Sequence, residues 1–157
     1  MARILGIDFG TRRVGSAISD PRRAIATPLE VYERRDPVQD ANHYRVLVEE
    51  NEVERIVIGL PVHLSGREGA SATLARTWGD WLQTSTRIPV VYYDERYTTV
   101  DAEESMIVAG LKRSKRKGLR DMLAARILLQ NYLDDGCPET ILSSRPIGDP
   151  GPESEAS

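Results

Sequence analysis

The chain has very little cysteine and no long apolar run. Cys137 is the only cysteine among 157 residues, which excludes an internal disulfide and is typical of a reducing compartment. No apolar stretch approaches the roughly 18 residues that a membrane-spanning helix needs, and the N-terminus enters a strand pattern without a leader-like segment. We therefore expect a cytoplasmic protein with no membrane association.

The sequence also lacks a strong excess of either charge. Its net charge is -3, so the sum of charges argues against indiscriminate binding to nucleic acid. The distribution is more informative, because basic residues cluster at Arg12 and Arg13 and in the stretch 112–117, whereas the tail after Ser144 is acidic. This pattern predicts a locally basic groove on a mildly acidic body.

What is present is an alternation of short apolar segments with helix-like segments. Three apolar segments, over residues 3–9, 14–19 and 24–33, are joined by connections so short that they predict an antiparallel meander. The later elements follow in this order: a helix after Asp36-Pro37, a strand over 55–60, a helix from Gly66 through Leu82, a strand over 89–93, and helices over 98–109 and 119–133.

This order predicts a single α/β domain over residues 1–142, with a mixed five-stranded sheet flanked by helices. The strand over 55–60 is expected to run parallel to the first. The basic stretch 112–118 is predicted to be a loop or a loosely ordered arm. Residues 143–157 are rich in Pro, Gly, Ser and acidic residues without periodicity, which predicts a disordered tail.

Asp8 is the most informative residue, because it closes an apolar run that is typical of a buried central strand. An ionised carboxylate is costly to desolvate there unless a cation or several donors meet it. Gly10 and Thr11 follow, with Arg12 and Arg13 next, which predicts a tight turn that places backbone amides and positive charge beside the acid. We interpret this segment as a metal and phosphate site; the alternative is a plain turn former.

Two further acids stand where folding alone does not require them. Asp121 shares a helical stripe with Ala125 and Leu128, so the helix carries a carboxylate towards the sheet. Its alternative role is to complement the helix dipole. Glu95 follows the fifth strand, and strand ends in such sheets face the ligand cleft. Its alternative role is a surface pair with Arg96.

A cluster of these three acids predicts bound cations. Two carboxylates about 4 Å apart repel each other by roughly 4 kcal/mol at an effective dielectric near 20. Divalent cations relieve that repulsion, and oxygen ligands with open positions for water and phosphate favour Mg²⁺ or Mn²⁺.

Four motifs together resemble a known family. They are the segment 6–15 (GIDFGTRRVG), Gly59-Leu60-Pro61 followed by Gly66 and Gly69, the segment 94–99 (DERYTT), and Asp121 with Ala124-Ala125. In this order and spacing they resemble the YqgF family, also called RuvX, of pre-16S rRNA nucleases and Holliday junction resolvase-like proteins. The resemblance covers about residues 3–133 and implies an RNase H-like fold with metal-assisted hydrolysis of phosphodiester bonds.

The resemblance also implies roles for residues. Its catalytic and metal-binding triad falls on Asp8, Glu95 and Asp121. The residues expected to contact substrate are Thr11, Arg12, Arg13, His63, Arg96, Lys112, Arg113, Lys115, Arg116 and Lys117.

The chain departs from related RuvC-type resolvases in two places. The strand ending at Gly59-Leu60-Pro61 carries no acid, and Gly118 stands where those resolvases have another Asp one turn before the helix acid. The loop after Gly59 also has His63 and Ser65 in place of the usual Asn and Asp. We therefore expect Mg²⁺ or Mn²⁺ to bind weakly without substrate.

Several functions are compatible with these residues. The first choice is 5′-end processing of pre-16S rRNA, and the alternatives are resolution of four-way DNA junctions and a catalytically silent nucleic-acid-binding or transcription factor. The segment 8–11 also resembles the first phosphate-binding turn of actin, Hsp70 and sugar-kinase ATPases, but those proteins use two such halves and this chain supplies one. The expected partner is structured RNA or branched DNA, bound by a monomer or weak homodimer. Trp78 and Trp81 are candidates for a dimer interface, with at least one of them in the core.

Overall fold

A computed structural model describes residues 2–61, 68–94 and 113–139, without the side chains of 113–118. The strands are β1 (Arg3–Phe9), β2 (Arg13–Ser19), β3 (Ala26–Glu33), β4 (Val53–Leu60) and β5 (Val90–Asp94). The helices are α1 (Pro37–Glu50), α2 (Ala70–Thr86) and α3 (Arg113–Asp134). None of the helices in these ranges is both long enough and apolar enough to cross a membrane.

The strands form one mixed sheet in the order β3-β2-β1-β4-β5. The pairs β1–β2 and β2–β3 are antiparallel, whereas β1–β4 and β4–β5 are parallel. The predicted meander, the parallel fourth strand and the fifth strand are confirmed. Because β1, β4 and β5 run in the same direction, their carboxyl ends meet at one edge of the sheet.

The helices cover opposite faces of the sheet. Successive strand residues point to opposite faces, and on β1 Leu5 and Ile7 pack under α1 and α2. Ile4 packs against α3 on the other side. Asp8 lies at an even spacing from Ile4 along β1 and therefore points towards the same face, the one that α3 covers.

Helix α1 begins where its capping sequence predicts. The Asp36 carboxylate accepts a hydrogen bond from the Gln39 backbone N–H at 2.8 Å, and Pro37 occupies the first helical turn. The side-chain oxygen satisfies one of the backbone donors that a helix start leaves unpaired.

Helix α2 spans Ala70–Thr86, so it starts after the predicted Gly66 and continues past the predicted end at Leu82. Hydroxyl groups of its last turn bond back to main-chain oxygens, including Thr86 Oγ1 to Leu82 O at 2.8 Å. The helix ends at Arg87, which adopts a left-handed conformation with φ 61°.

The prediction that the basic stretch forms a loop or a loosely ordered arm is wrong for residues 113–118. The backbone of residues 113–118 belongs to α3, which runs for 22 residues from Arg113. Lys and Arg are good helix formers, and Gly118 costs only about 1 kcal/mol in a helix interior, which is too little to end so long a helix. The helix ends near Asp134, as predicted, and Gly136 follows with φ 89°. The predicted helix over 98–109 and the predicted tail lie outside the described residues.

Candidate active site

Asp8 lies at the carboxyl end of β1, where the sequence places it, and is half-buried. The turn that follows is tight, because a Cβ atom on Gly10 would lie 2.3 Å from the Arg13 carbonyl oxygen. Asp8 opens onto a cleft of about 220 Å³, whose other lining residues are Phe9, Thr11, Pro61, Ser71, Leu74 and Ala75. The cleft therefore joins the end of β1 to the beginning of α2.

Helix α3 reaches the sheet at two glycines. A Cβ atom on Gly15 would lie 2.1 Å from the Asp121 carbonyl oxygen, and one on Gly6 would lie 2.6 Å from Leu129 Cβ. Gly15 is the register partner of Asp8 across β1 and β2. The main chain of Asp121 thus lies against the residue beside Asp8, and the structure brings these two predicted acids together on one face.

The sequence predicted the approach of α3 to the sheet from the residue pattern of the helix, not from that of the strands. The stripe that Asp121 shares with Ala125 predicted that this side of α3 faces the sheet, and Ala125 is fully buried. The space for the main chain of α3 comes from Gly6 and Gly15, whose missing side chains leave room for backbone contact. The signal in the sequence was a glycine on each of two adjacent strands.

Arg13 pairs with Asp121. The Arg13 Nε donates to Asp121 Oδ2 at 3.2 Å, and the two side chains are 24% and 27% exposed. Arg13 was predicted to hold a substrate phosphate, but its guanidinium lies on a carboxylate of the predicted triad. Partly exposed pairs contribute about 0–1 kcal/mol to stability, so Arg13 can leave this carboxylate at little cost.

The other predicted residues of the β1–β2 turn are exposed. Arg12 faces Glu33 across 3.8 Å, with side-chain exposures of 76% and 67%. The Thr11 carbonyl accepts a hydrogen bond from Arg34 Nη1 at 2.9 Å, so a cation from the end of β3 holds the turn. Sequence reasoning missed Arg34, because nothing local links it to residues more than twenty positions earlier.

The remaining predicted site residues are placed only in part. Glu95, Arg96, His63 and Lys112 lie outside the described residues. Asp94, just before Glu95, ends β5 in register with Leu60 and is 1% exposed. The backbone of the predicted phosphate contacts of α3 lies in the helical turns before Asp121; these residues are Arg113, Lys115, Arg116 and Lys117.

A buried ion pair fixes the beginning of α2. Glu68 is 1% exposed, and both of its carboxylate oxygens accept hydrogen bonds from Arg76, at 2.7 and 2.9 Å. The Arg76 guanidinium also lies 4.9 Å from the centre of the Tyr92 ring. Two-point pairing offsets the cost of burying both charges. Glu68 and Arg76 thereby hold the entry to α2 beside the Asp8 cleft, a role that the sequence did not reveal.

The donor chemistry at the cleft fits a hard divalent cation. Asp8 and Asp121 offer carboxylate oxygens, the ligands that Mg²⁺ and Mn²⁺ prefer. In the ranges that the structure covers, three or more metal-binding side chains do not converge. Those ranges thus supply two of the three predicted acids, and the third is Glu95.

A larger cavity lies at the opposite end of the parallel strands. Its volume is about 650 Å³, and it is lined by charges of both signs, among them Arg45, Glu49, Glu52 and Arg87. It lies far from the carboxyl strand ends. We place the candidate site at the smaller cleft because Asp8 lines it and Asp121 contacts the register partner of Asp8, not because of cavity size.

Similar structures agree with this topology. The chain of RuvC from T. thermophilus, solved with a Holliday junction substrate, matches with a TM-score of 0.56 and 17% identity, covering 88% of this chain and 99% of that one. The fowlpox virus resolvase, solved with Holliday junction DNA, matches with a TM-score of 0.52 and 8% identity, covering 85% and 97%. These likenesses establish the predicted RNase H-like fold.

Similar sequences extend over nearly the same region. A protein of Halothermothrix orenii named "Putative pre-16S rRNA nuclease" is 43% identical over 132 residues, or 84% of this chain and 94% of its own length. A protein of the same name from Dictyoglomus thermophilum is 40% identical over 138 residues, or 88% and 99%. The model of the RuvX family, described as Holliday junction resolvase, matches residues 2–135. The chain therefore belongs to the RuvX family.

Proposed function

We propose that this chain is a metal-dependent nuclease of the cytoplasm that hydrolyses phosphodiester bonds in 5′-end processing of pre-16S rRNA. The observation that carries the proposal is the contact of Asp121 with Gly15, the register partner of Asp8. It brings the main chain of Asp121 against the residue beside Asp8, on the same face of the sheet. The name of the relatives supports the choice of RNA substrate.

In this proposal Asp8 and Asp121, together with Glu95, hold Mg²⁺ or Mn²⁺. The chemistry that the bound cation supplies is a lowered pKa of the attacking water and neutralisation of charge on the phosphate. Asp8, at the end of the central strand, orients the ligand set from a rigid position. Asp121 would hold the cation in place of the Arg13 guanidinium that it now accepts from, and that guanidinium would then be available to a phosphate oxygen.

Other residues position the substrate. Arg12 is exposed at the tip of the β1–β2 turn and Thr11 lines the cleft, so both can meet the sugar-phosphate backbone. The basic residues at the start of α3 precede Asp121 in the same helix, and in this proposal they supply further phosphate contacts. Glu68 and Arg76 keep the opposite wall, the beginning of α2, in place.

A four-way DNA junction is the second candidate substrate. It is favoured by the description of the matching family model as Holliday junction resolvase. Symmetric resolution of a junction needs two active sites and therefore a dimer. A comparison of the two substrates in one assay, with the oligomeric state measured in parallel, separates the candidates.

The test is cleavage of a 5′-extended 16S rRNA precursor and of a four-way DNA junction in Mg²⁺ or Mn²⁺. We expect Asp8→Asn to lower cleavage by more than about 100-fold, because even outer-shell partners of a metal ligand contribute about 10- to 100-fold. Asp135→Asn, which changes an exposed acid just beyond α3, is the matched control and should cleave like the wild type. Cleavage that persists in Asp8→Asn would contradict the proposal, and substrate binding without cleavage by the wild type would favour the silent factor.

A further inference from the structure

A second cavity lies on the face of the sheet that α1 and α2 cover. Its volume is about 160 Å³, and it is lined by Arg34, Arg35, Pro37, Asp40, Trp78 and Trp81. Pockets for drug-sized ligands measure about 300–1,000 Å³, so this one has room for a single ring system. The cavity thus combines two cations, one carboxylate and an aromatic wall.

Asp40 is unusual among the residues that line the cavity, because it is a buried acid with 3% exposure. The Tyr32 hydroxyl and the Arg35 backbone N–H donate to it at 2.7 and 2.9 Å, both to Oδ1. Both of these bonds end on Oδ1, so among the described residues Oδ2 keeps acceptor capacity. Asp36 caps α1, and Asp40 supports the same helix start by accepting the Arg35 backbone N–H through Oδ1 alone.

The aromatic wall offers a surface for stacking. Trp78 is buried at 6% exposure, and Trp81 packs on it with ring centroids 5.9 Å apart while remaining partly exposed. Every nucleobase has a π-face that stacks on such a ring. Trp81 is therefore the member of the pair that an incoming ligand can contact.

Arg34 links this cavity to the Asp8 cleft. Its guanidinium lies 5.2 Å from the centre of the Phe9 ring, and its Nη1 donates to the Thr11 carbonyl. Phe9 and Thr11 both line the Asp8 cleft. The buried Arg34 Nε has no hydrogen-bond partner among the described residues. A nucleic-acid strand that leaves the Asp8 cleft over Phe9 would therefore reach Arg34 next. Arg35 is exposed beyond Arg34.

We propose that this cavity binds one unpaired guanine of the substrate strand, next to the scissile region; the inference rests on the proposed function. Single-stranded nucleic acids are read by stacking on aromatic rings and by hydrogen bonds to the Watson–Crick edge. Guanine has two neighbouring donors on that edge, N1–H and the N2 amino group, and Oδ2 of Asp40 has the acceptor capacity to meet them. Uracil has a single donor flanked by two carbonyl oxygens, which the carboxylate repels. Arg34 and Arg35 neutralise the adjoining phosphate.

The test measures binding in a chelator, so that it does not depend on cleavage. The probes are two labelled oligouridine strands of equal length, one with a single central guanine, and free guanosine monophosphate. The readouts are fluorescence anisotropy of the strands and tryptophan fluorescence of the full chain. We expect the guanine strand to bind more tightly than the uridine strand, to quench Trp81, and to bind more tightly than the free nucleotide.

Three variants identify the residues. Trp81→Ala should weaken binding of the guanine strand by about tenfold or more, since stacking of a base on an aromatic ring accounts for such a change. Asp40→Asn should remove the preference for guanine while binding of the uridine strand is retained. Tyr32→Phe deletes a hydrogen bond to Asp40 but keeps the carboxylate, so it should keep the preference and controls for disturbed folding.

Several results would overturn the inference. They are equal binding of the two strands by the wild type, an unchanged preference in Asp40→Asn, and unchanged tryptophan fluorescence on binding. If Trp81→Ala alters only the sedimentation of the protein, the aromatic wall is an interface between two copies. The inference stands if guanine is preferred but no substrate is cleaved, in which case the nuclease proposal alone fails.

Discussion

The helices pack on the two faces of the sheet through different kinds of contact. On one face the main chain of α3 touches the sheet at Gly15, where an added Cβ atom would meet the Asp121 carbonyl oxygen at 2.1 Å. On the other face α2 packs through side chains, and an added Cβ atom on Gly79 would meet the Tyr92 hydroxyl at 2.5 Å. Backbone contact fixes a carboxylate in place, whereas contact between side chains leaves room to adjust. The catalytic candidates Asp8 and Asp121 belong to the face with the backbone contact.

The difference between the two faces is tested most strongly by adding one methyl group to each of them. We expect Gly15→Ala to destabilise the fold by about 1–3 kcal/mol or more, because the backbone of α3 must shift, and to reduce cleavage because Asp121 shifts with it. Gly79→Ala is the matched control. It disturbs the Tyr92 hydroxyl, which lies within hydrogen-bond distance of two acceptors, Asp80 Oδ1 at 2.8 Å and Arg76 O at 3.0 Å, but a helical Gly→Ala change gains up to about 1 kcal/mol.

Urea denaturation and the precursor assay together measure both variants. The expected order is a large loss of stability and activity in Gly15→Ala and a small change in Gly79→Ala. The comparison between the faces fails if Gly79→Ala is the more destabilising variant, or if Gly15→Ala leaves both stability and cleavage unchanged.

A smaller effect is expected from the ion pair on the α3 face. Arg13→Gln should change the free energy of unfolding by less than about 1 kcal/mol, since the pair is partly exposed. The same change removes a cation that competes for Asp121, so the Mg²⁺ concentration for half-maximal cleavage should fall by up to about fivefold. Arg22→Gln, at an exposed position, is the control. A rise in the required Mg²⁺ concentration would show that Arg13 assists metal binding instead of competing with it.

A further effect is expected at alkaline pH, mainly on the other face. Burial, followed by the hydrogen bond to Asp40, raises the pKa of Tyr32 to about 12 from 10.0. Burial also raises the pKa of Tyr44 and Tyr92. A raised pKa in the folded state means that stability is complete below pH 10 and falls as the pH rises through the folded value.

Urea midpoints between about pH 9 and 12 test this expectation. The midpoint should fall above pH 10, and Tyr32→Phe should make the decline shallower. Hydrogen exchange should show α1 and α2 losing protection before α3, although burial raises the pKa of Tyr132 on the α3 face as well. Equal loss on the two faces would contradict the assignment.

The sequence was sufficient for the features that depend on neighbouring residues. The meander followed from short connections, the start of α1 from Asp36 and Pro37, and the position of Asp8 from the apolar run before it. Each of these signals spans a few residues and reports a local preference. The start of α3 was missed because a run of basic residues was interpreted as a solvated arm, although Lys and Arg favour helices.

The features missed at the candidate site depend on contacts between distant segments. Arg13 and Asp121 are 108 positions apart, so no local pattern pairs them. Nothing in the local sequence indicates that Gly15 contacts a helix; the contact is seen only in the packing of α3 on the sheet. Asp40 has the sequence context of an ordinary acid in the first turn of a helix, and only its burial beside Trp81 gives it another meaning.

We propose above that α3 brings Asp121 to Asp8 as a metal ligand of a nuclease. The most direct test is cleavage of the 5′-extended 16S rRNA precursor by Asp121→Asn across a series of Mg²⁺ and Mn²⁺ concentrations, with urea denaturation of the same protein. We predict a folded protein whose cleavage is lost in Mg²⁺ and restored in part only at high metal concentration. Cleavage with the metal dependence of the wild type would contradict the account.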